Sequence, residues 1–226
     1  MSARQITHAL GAVVATVCAS FSAAVDIPSA SAAPCPDVEV VFARGTSEPA
    51  GVGGIGQAFV NSMRSRVGGR SVGVYPVNYP ASTDFPTAAQ GVIDASAHAR
   101  DMAANCPNTR MVLGGYSQGA AVIGYITADA IPAGITPPAG ITGPMPPEVA
   151  NHVAAVALFG KPSSEFLKEI GAPPITIGNL YAAKTIDLCI PDDPICSPNG
   201  TDDVAHGLYA ANGMVAQAAA FAASRL

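Results

Sequence analysis

The chain has 226 residues, 49% apolar, 12% charged and 6% aromatic, with 23 Gly, 20 Pro and a net charge of −5. That length fits one α/β domain or two small ones with a sizeable core, and the composition is that of a globular protein rather than a disordered tail or a membrane bundle. Lys and Arg cluster nowhere, which sets aside a nucleic-acid partner.

At the N-terminus, residues 1–8 carry Arg4 and no acid, 9–25 are almost wholly apolar or small, and Ala30-Ser31-Ala32 has the small-x-small form of a signal peptidase site. Residues 1–32 are predicted to be an export signal cut after Ala32, because Pro34 hinders cleavage just before it. The run is too short and too rich in Ala to read as a retained anchor. Val17 before Cys18 and Pro34 before Cys35 lack the small residue that lipid attachment needs. The remaining chain, 33–226, is expected to be one secreted domain with no integral membrane segment, either free or held at the cell envelope.

Short β-rich runs fall at 38–43, 72–77, 111–115, 153–159 and 182–188, and helical patterns at 55–66, 87–105, 118–130, 163–170 and 211–225. Strands alternating with helices predict a three-layer α/β/α sandwich around a central five-stranded parallel sheet. The segment 131–150, with six Pro and three Gly, excludes a helix or central strand. It is either a surface connection or a flap beside a cleft. Gly51-Val52-Gly53-Gly54-Ile55-Gly56 matches a dinucleotide fingerprint, but Arg44–Ala50 separates it from the strand, so it reads as a loop entering a helix.

The third strand runs into Gly115-Tyr116-Ser117-Gln118-Gly119 and then a helical stretch. This is G-x-S-x-G in the strand–turn–helix context of a nucleophile elbow. The serine must project from a sharp turn, where side chains two residues either side would strike the neighbouring strand and helix. The Gln118 N–H, at a helix N-terminus, points where an oxyanion would form. Three histidines follow the signal. His98 reads as a solvated helical residue, His152 precedes a strand at the edge opposite a ligand crevice, and His206 lies in a loop before the last helix, where the base belongs. The orienting acid should lie between Ser117 and His206. Asp129, Glu148, Glu165 and Glu169 fall on helix or flap positions, Asp187 ends a strand, and Asp202 and Asp203 read as capping or solvated. Asp192 and Asp193 remain, in a loop stiffened by Pro191, Pro194 and two cysteines.

Cys35, Cys106, Cys189 and Cys196 follow the signal, and an even count in an exported chain reads as two disulfides. Of the three pairings, Cys35–Cys106 with Cys189–Cys196 is favoured by the nearness of the latter two. In the chain-entropy view, closing 189–196 contributes about 2.5 kcal/mol and closing 35–106 about 4.4 kcal/mol. With no CxxC and scattered histidines, no metal site is expected.

Together these residues resemble the cutinase family, and more closely the cutinase-like serine esterases secreted by mycobacteria. The matching pieces are Cys35-Pro36-Asp37, Phe42-Ala43-Arg44-Gly45-Thr46-Ser47-Glu48, the block from Cys106-Pro107 through Gly119, the loop 189–196 and the HxxY of His206 and Tyr209. The resemblance implies Asp193 as the acid, the disulfides Cys35–Cys106 and Cys189–Cys196, and an oxyanion hole made by Thr46 and Gln118. It implies a serine ester hydrolase of α/β-hydrolase type, acting without metal or cofactor through an acyl-enzyme on short-to-medium-chain acyl esters or lipids, and read as a monomer. Acetyl-sugar esterase and phospholipase A activities belong to the same fold; a non-catalytic surface protein is the reading from another class. The 131–150 insert, absent from fungal cutinases, and Asp192 beside Asp193 set this chain apart.

Overall fold

The apolar runs form five strands, β1 (Val38–Ala43), β2 (Val72–Pro76), β3 (Arg110–Tyr116), β4 (Val153–Phe159) and β5 (Thr185–Leu188). The computed structural model describes residues 34–132, 136, 137 and 139–226, so the expected export signal lies outside the described residues. β1 and β4 are buried at every position, as strands covered on both faces must be. All pairings are parallel, in the order β2-β1-β3-β4-β5.

Helices cover both faces, giving the expected three layers. α1 (Gly53–Arg64) and α6 (Met214–Ala223) pack on the face carrying Val38, Val40, Phe42 and Phe159. α1 turns Ile55, Phe59, Val60 and Met63 inward at helical spacing, and Phe59 meets Phe159 edge-on with ring centroids 5.7 Å apart. α2 (Ala88–Asn105) and α3 (Gln118–Ile126) cover the other face over Val41, Leu113, Val156 and Leu158. α4 (Ser164–Glu169) and α5 (Asn179–Ala182) follow β4.

Two of the departures from the expected boundaries arise at one contact. α3 stops at Ile126 rather than 130 because the Thr127 hydroxyl bonds back to the Ile123 carbonyl (2.9 Å) and the Thr127 carbonyl accepts from the Gly178 N–H (2.8 Å). Asp129 then accepts from the Asn179 N–H at 2.9 Å at the start of α5, which runs to Ala182, so the strand expected over 182–188 begins only at Thr185. The reading of His98 is also corrected. It is not solvated: its ring stacks on Tyr75 at 3.4 Å between centroids, and its Nε2 lies 2.9 Å from the buried Glu39 carboxylate. The partners come from β1 and β2, remote in sequence.

In this strand order the connection direction reverses between β1 and β3, and ligands bind beyond the carboxyl ends of strands at such a switch point. The turn after β1 carries Thr46 and the turn after β3 carries Ser117. His152 closes a 3₁₀ turn (Pro147–His152) at the opposite edge, before β4.

Candidate active site

Ser117 sits between β3 and α3 at φ 54° and ψ −119°, a positive-φ conformation that side-chain-bearing residues rarely adopt. Its N–H donates to the Phe159 carbonyl at 2.9 Å and its carbonyl accepts from the Ala121 N–H at 3.1 Å, so the turn is tied to β4 and to its own helix. A Cβ on Gly115 would lie 2.3 Å from the Gly119 carbonyl oxygen, and one on Gly119 would lie 2.0 Å from that of Ala43. The collisions expected of a side chain at either position are therefore backbone collisions, which no rotamer can relieve.

Ser117 Oγ lies 2.9 Å from His206 Nε2, and His206 Nδ1 lies 2.8 and 2.9 Å from the two carboxylate oxygens of Asp193. Asp193 is fully buried. Burying a carboxylate without partners is costly, and this one has several. Besides the imidazole, it accepts from the Ile195 N–H at 2.8 Å and from the Tyr209 hydroxyl at 2.5 Å. Tyr209 is itself fully buried, and burial first, then the Asp193 carboxylate, pushes its phenol far above the ordinary value. The phenol thus stays a donor throughout the range in which an imidazole titrates. Asp192 points elsewhere: its φ of 68° turns the chain, and its carboxylate accepts from the Thr201 N–H at 3.0 Å. The two adjacent carboxylates do not share a site. Asp202 accepts from the Val204 N–H at 2.9 Å, a local turn before His206, and Asp187 pairs with Lys161 at 3.3 Å, its pKa raised by burial.

Thr46 and Gln118 line the same cavity as Ser117 and His206. Gln118 opens α3, so its N–H has no partner within the helix; its side-chain amide donates to the Ser82 carbonyl at 2.9 Å. The Thr46 turn is braced on both sides. Arg44 is buried and donates to the carbonyls of Glu48 (2.9 Å) and Tyr79 (2.6 Å). Glu48 accepts from the Gly45 N–H at 2.6 Å and the Gly54 N–H at 2.7 Å, joining the turn to the first turn of α1. The glycine-rich loop before α1 therefore holds an anion, but it is the chain's own carboxylate. Gly45 leaves room for Tyr116, whose ring would be 2.6 Å from a Cβ there; the Tyr116 hydroxyl donates to the His206 carbonyl at 2.7 Å.

Glu48, Tyr116 and Tyr209 stand in the matching motifs, but the sequence alone assigns them no role. For Glu48 a signal existed, an acid two residues beyond Thr46 and just before a helix. Gly160 also went unremarked; a Cβ there would crowd Tyr209 and the His206 ring at 3.0 and 3.1 Å. Both disulfides, Cys35–Cys106 and Cys189–Cys196, are formed. The first ties the chain before β1 to the end of α2, at the edge opposite Ser117; the second closes the loop around Asp193. Among the described residues no helix is long and apolar enough to cross a membrane.

The fold is of the α/β-hydrolase type, and the relatives make the chain a carboxylic ester hydrolase. The family model described as Cutinase matches residues 34–226. Carboxylesterase Culp1 of Mycobacterium tuberculosis is 52% identical over 229 residues, spanning 100% of this chain and 98% of its own. Phospholipase Culp4 of the same species is 48% identical over 225 residues, spanning 100% and 93%. Among solved structures, a Trichoderma reesei cutinase in complex with a phosphonate inhibitor matches with a TM-score of 0.63 at 35% identity, over 84% of this chain and 77% of that one. This chain belongs to the cutinase family.

Proposed function

We propose that the chain is an exported serine esterase in which Ser117 is the nucleophile, His206 the general base and Asp193 the group that orients it. The observation that carries this reading is the unbroken series of contacts from Ser117 Oγ through His206 to a buried Asp193. Ser117 Oγ attacks the ester carbonyl carbon as its proton passes to His206 Nε2. The oxyanion accepts from the Gln118 N–H and the Thr46 turn, His206 returns the proton to the leaving alkoxide, and water resolves the acyl-enzyme by the same steps. Asp193 holds the Nδ1–H tautomer and stabilises the imidazolium without taking the proton.

The substrates are short-to-medium-chain acyl esters or lipids. The cavity around Ser117 is walled by Phe85, Ala121, Tyr125, Phe166 and Leu167, which favours an acyl chain over a sugar. In this reading the domain is a monomer cut after Ala32, and its two disulfides suit its export. The test is hydrolysis of p-nitrophenyl esters from acetate to palmitate by the oxidised protein and by Ser117→Ala. Removing the nucleophile should lower kcat by roughly a million-fold. Equal rates in the two proteins would overturn the reading.

A further inference from the structure

Two cavities meet beside Ser117. The first, about 300 Å³, holds Ser117, His206, Thr46 and Gln118. The second, about 330 Å³, lies between α2, the end of α3 and described residues of the insert, chiefly 141–145. Phe85, Ala88, Tyr125, Ile170 and Ala172 line both, so the two cavities adjoin along this shared wall. Ligand sites normally carry a few converging polar groups that fix orientation. Among the described residues, the wall of the second cavity has no Asp, Glu, Lys, Arg or His, and its Tyr125 hydroxyl is already committed to the Pro173 carbonyl at 2.6 Å. Its other side-chain polar groups are the Ser96 and Thr136 hydroxyls, both uncharged, so the wall suits an occupant that is apolar along most of its length.

The helix floor and the roof are both built for a chain. Ala88, Ala89, Val92 and Ser96 turn one side of α2 to the hollow, while the adjacent stripe of Gly91, Ala95 and Ala99 is buried in the core. The roof includes Ile141 and Met145. It is held at a set height, because Met145 and Val149 sink into the core and Gly140, at φ 101°, lies so close to α2 that a Cβ would be 3.3 Å from Ile93.

The chemistry sets the direction. His206 must protonate the leaving alkoxide, so the alcohol portion leaves on its side. His206, Tyr116 and Ile195 line the first cavity only. The acyl portion therefore points the other way, past Phe85 and Tyr125. We propose that the hollow under the insert is the acyl-chain subsite of this esterase, taking a single linear hydrocarbon chain threaded from Ser117 between α2 and residues 141–145. This rests on Ser117 being the nucleophile.

The test uses the oxidised protein and two variants that fill the hollow from opposite walls, Ala89→Trp on the helix and Ile141→Trp on the insert. In the wild type, kcat/KM should rise from acetate to dodecanoate ester, by up to about fourfold for each methylene that enters, and then level off. The dodecanoate-to-acetate ratio should fall about tenfold or more in both variants, a ratio that cancels any general loss of folded enzyme. No gain beyond butyrate in the wild type, or an unchanged ratio in both variants, would overturn the proposal. Binding of dodecanoate to Ser117→Ala, followed by calorimetry, separates this proposal from the esterase reading. Binding that is lost when Ala89→Trp is added supports the subsite even if turnover is absent. No binding, or binding that survives the tryptophan, places the chain elsewhere and sinks the subsite even if Ser117 is the nucleophile.

Discussion

Two proline-rich segments without long regular elements flank the cleft, and they are held in opposite ways. In 189–209, a disulfide closes the loop and its polar groups converge on two carboxylates. Asp193 gathers His206, Ile195 and Tyr209, while Asp192 gathers Thr201 through its side chain and Asp202 through its carbonyl. In 131–145, the described residues are anchored by apolar contact, with Met145 in the core and Gly140 against Ile93. Proline narrows local backbone freedom in both. What separates them is the tether. Convergent hydrogen bonds set direction as well as distance, which an imidazole held for proton transfer needs. Apolar packing sets distance alone, which is enough to roof a channel for a flexible chain.

The sharpest way to test that contrast is to replace each of the two adjacent carboxylates in turn. Asp193→Asn keeps the shape but lets the amide donate to His206 Nδ1, favouring the tautomer whose Nε2 cannot accept the serine proton. A loss of about 10⁴ in kcat is expected, as in other Ser-His-Asp enzymes. Asp192→Ala should instead act on stability. It removes the acceptor for Thr201 and puts Ala at φ 68°, costing about 1–2 kcal/mol, read from the urea midpoint. If Asp192→Ala abolished turnover while Asp193→Asn did not, the assignment of the acid would be reversed.

That pair also marks how far the residues could be read without coordinates. The alternation of strand and helix gave away the layers and the sheet, because parallel strands buried on both faces must be apolar throughout. The elbow was legible because its glycines answer collisions a few residues away, Gly115 against Gly119. Asp192 and Asp193 were not separable by local pattern. What separates them is a left-handed residue that turns one carboxylate inward, and the phenol that receives it, Tyr209, lies farther along the chain. His98 was misread for the same reason: its environment is Tyr75 and Glu39, contributed by two strands earlier in the chain. The brace from Glu48 to Gly54 was hidden behind a glycine pattern that suggested a phosphate.

Removing one tether from the rigid loop should have a smaller effect than removing the acid. Tyr209→Phe deletes the donor to Asp193 and the acceptor for the Ile190 N–H while leaving the ring in place. The cost is about tenfold in kcat/KM, the worth of one charge-assisted hydrogen bond. A purely structural role would lower the amount of folded enzyme and leave the pH profile alone. A positioning role predicts a direction. Asp193 without its phenol donor carries more charge toward His206 and favours the imidazolium, so the acid limb of kcat/KM against pH should move to higher pH.

The smallest effect belongs to the apolar roof. At Gly140 the φ of 101° strains any L side chain, and a Cβ would press on Ile93 at 3.3 Å. Ile93 Cδ1 is the free end of a flexible side chain, so it can give way. Gly140→Ala should therefore cost about 1 kcal/mol, lowering Tm by roughly 2–4 °C. In the other loop, a Cβ on Gly200 would sit 2.4 Å from the backbone oxygen of Asp193, which cannot move without dragging the carboxylate. The same Gly→Ala change is thus absorbed by a side chain in one segment and by the active site in the other. A Tm loss at Gly140 as large as that at Gly200 would mean that the roof is held by directional contacts too, and the distinction between the two tethers would fail.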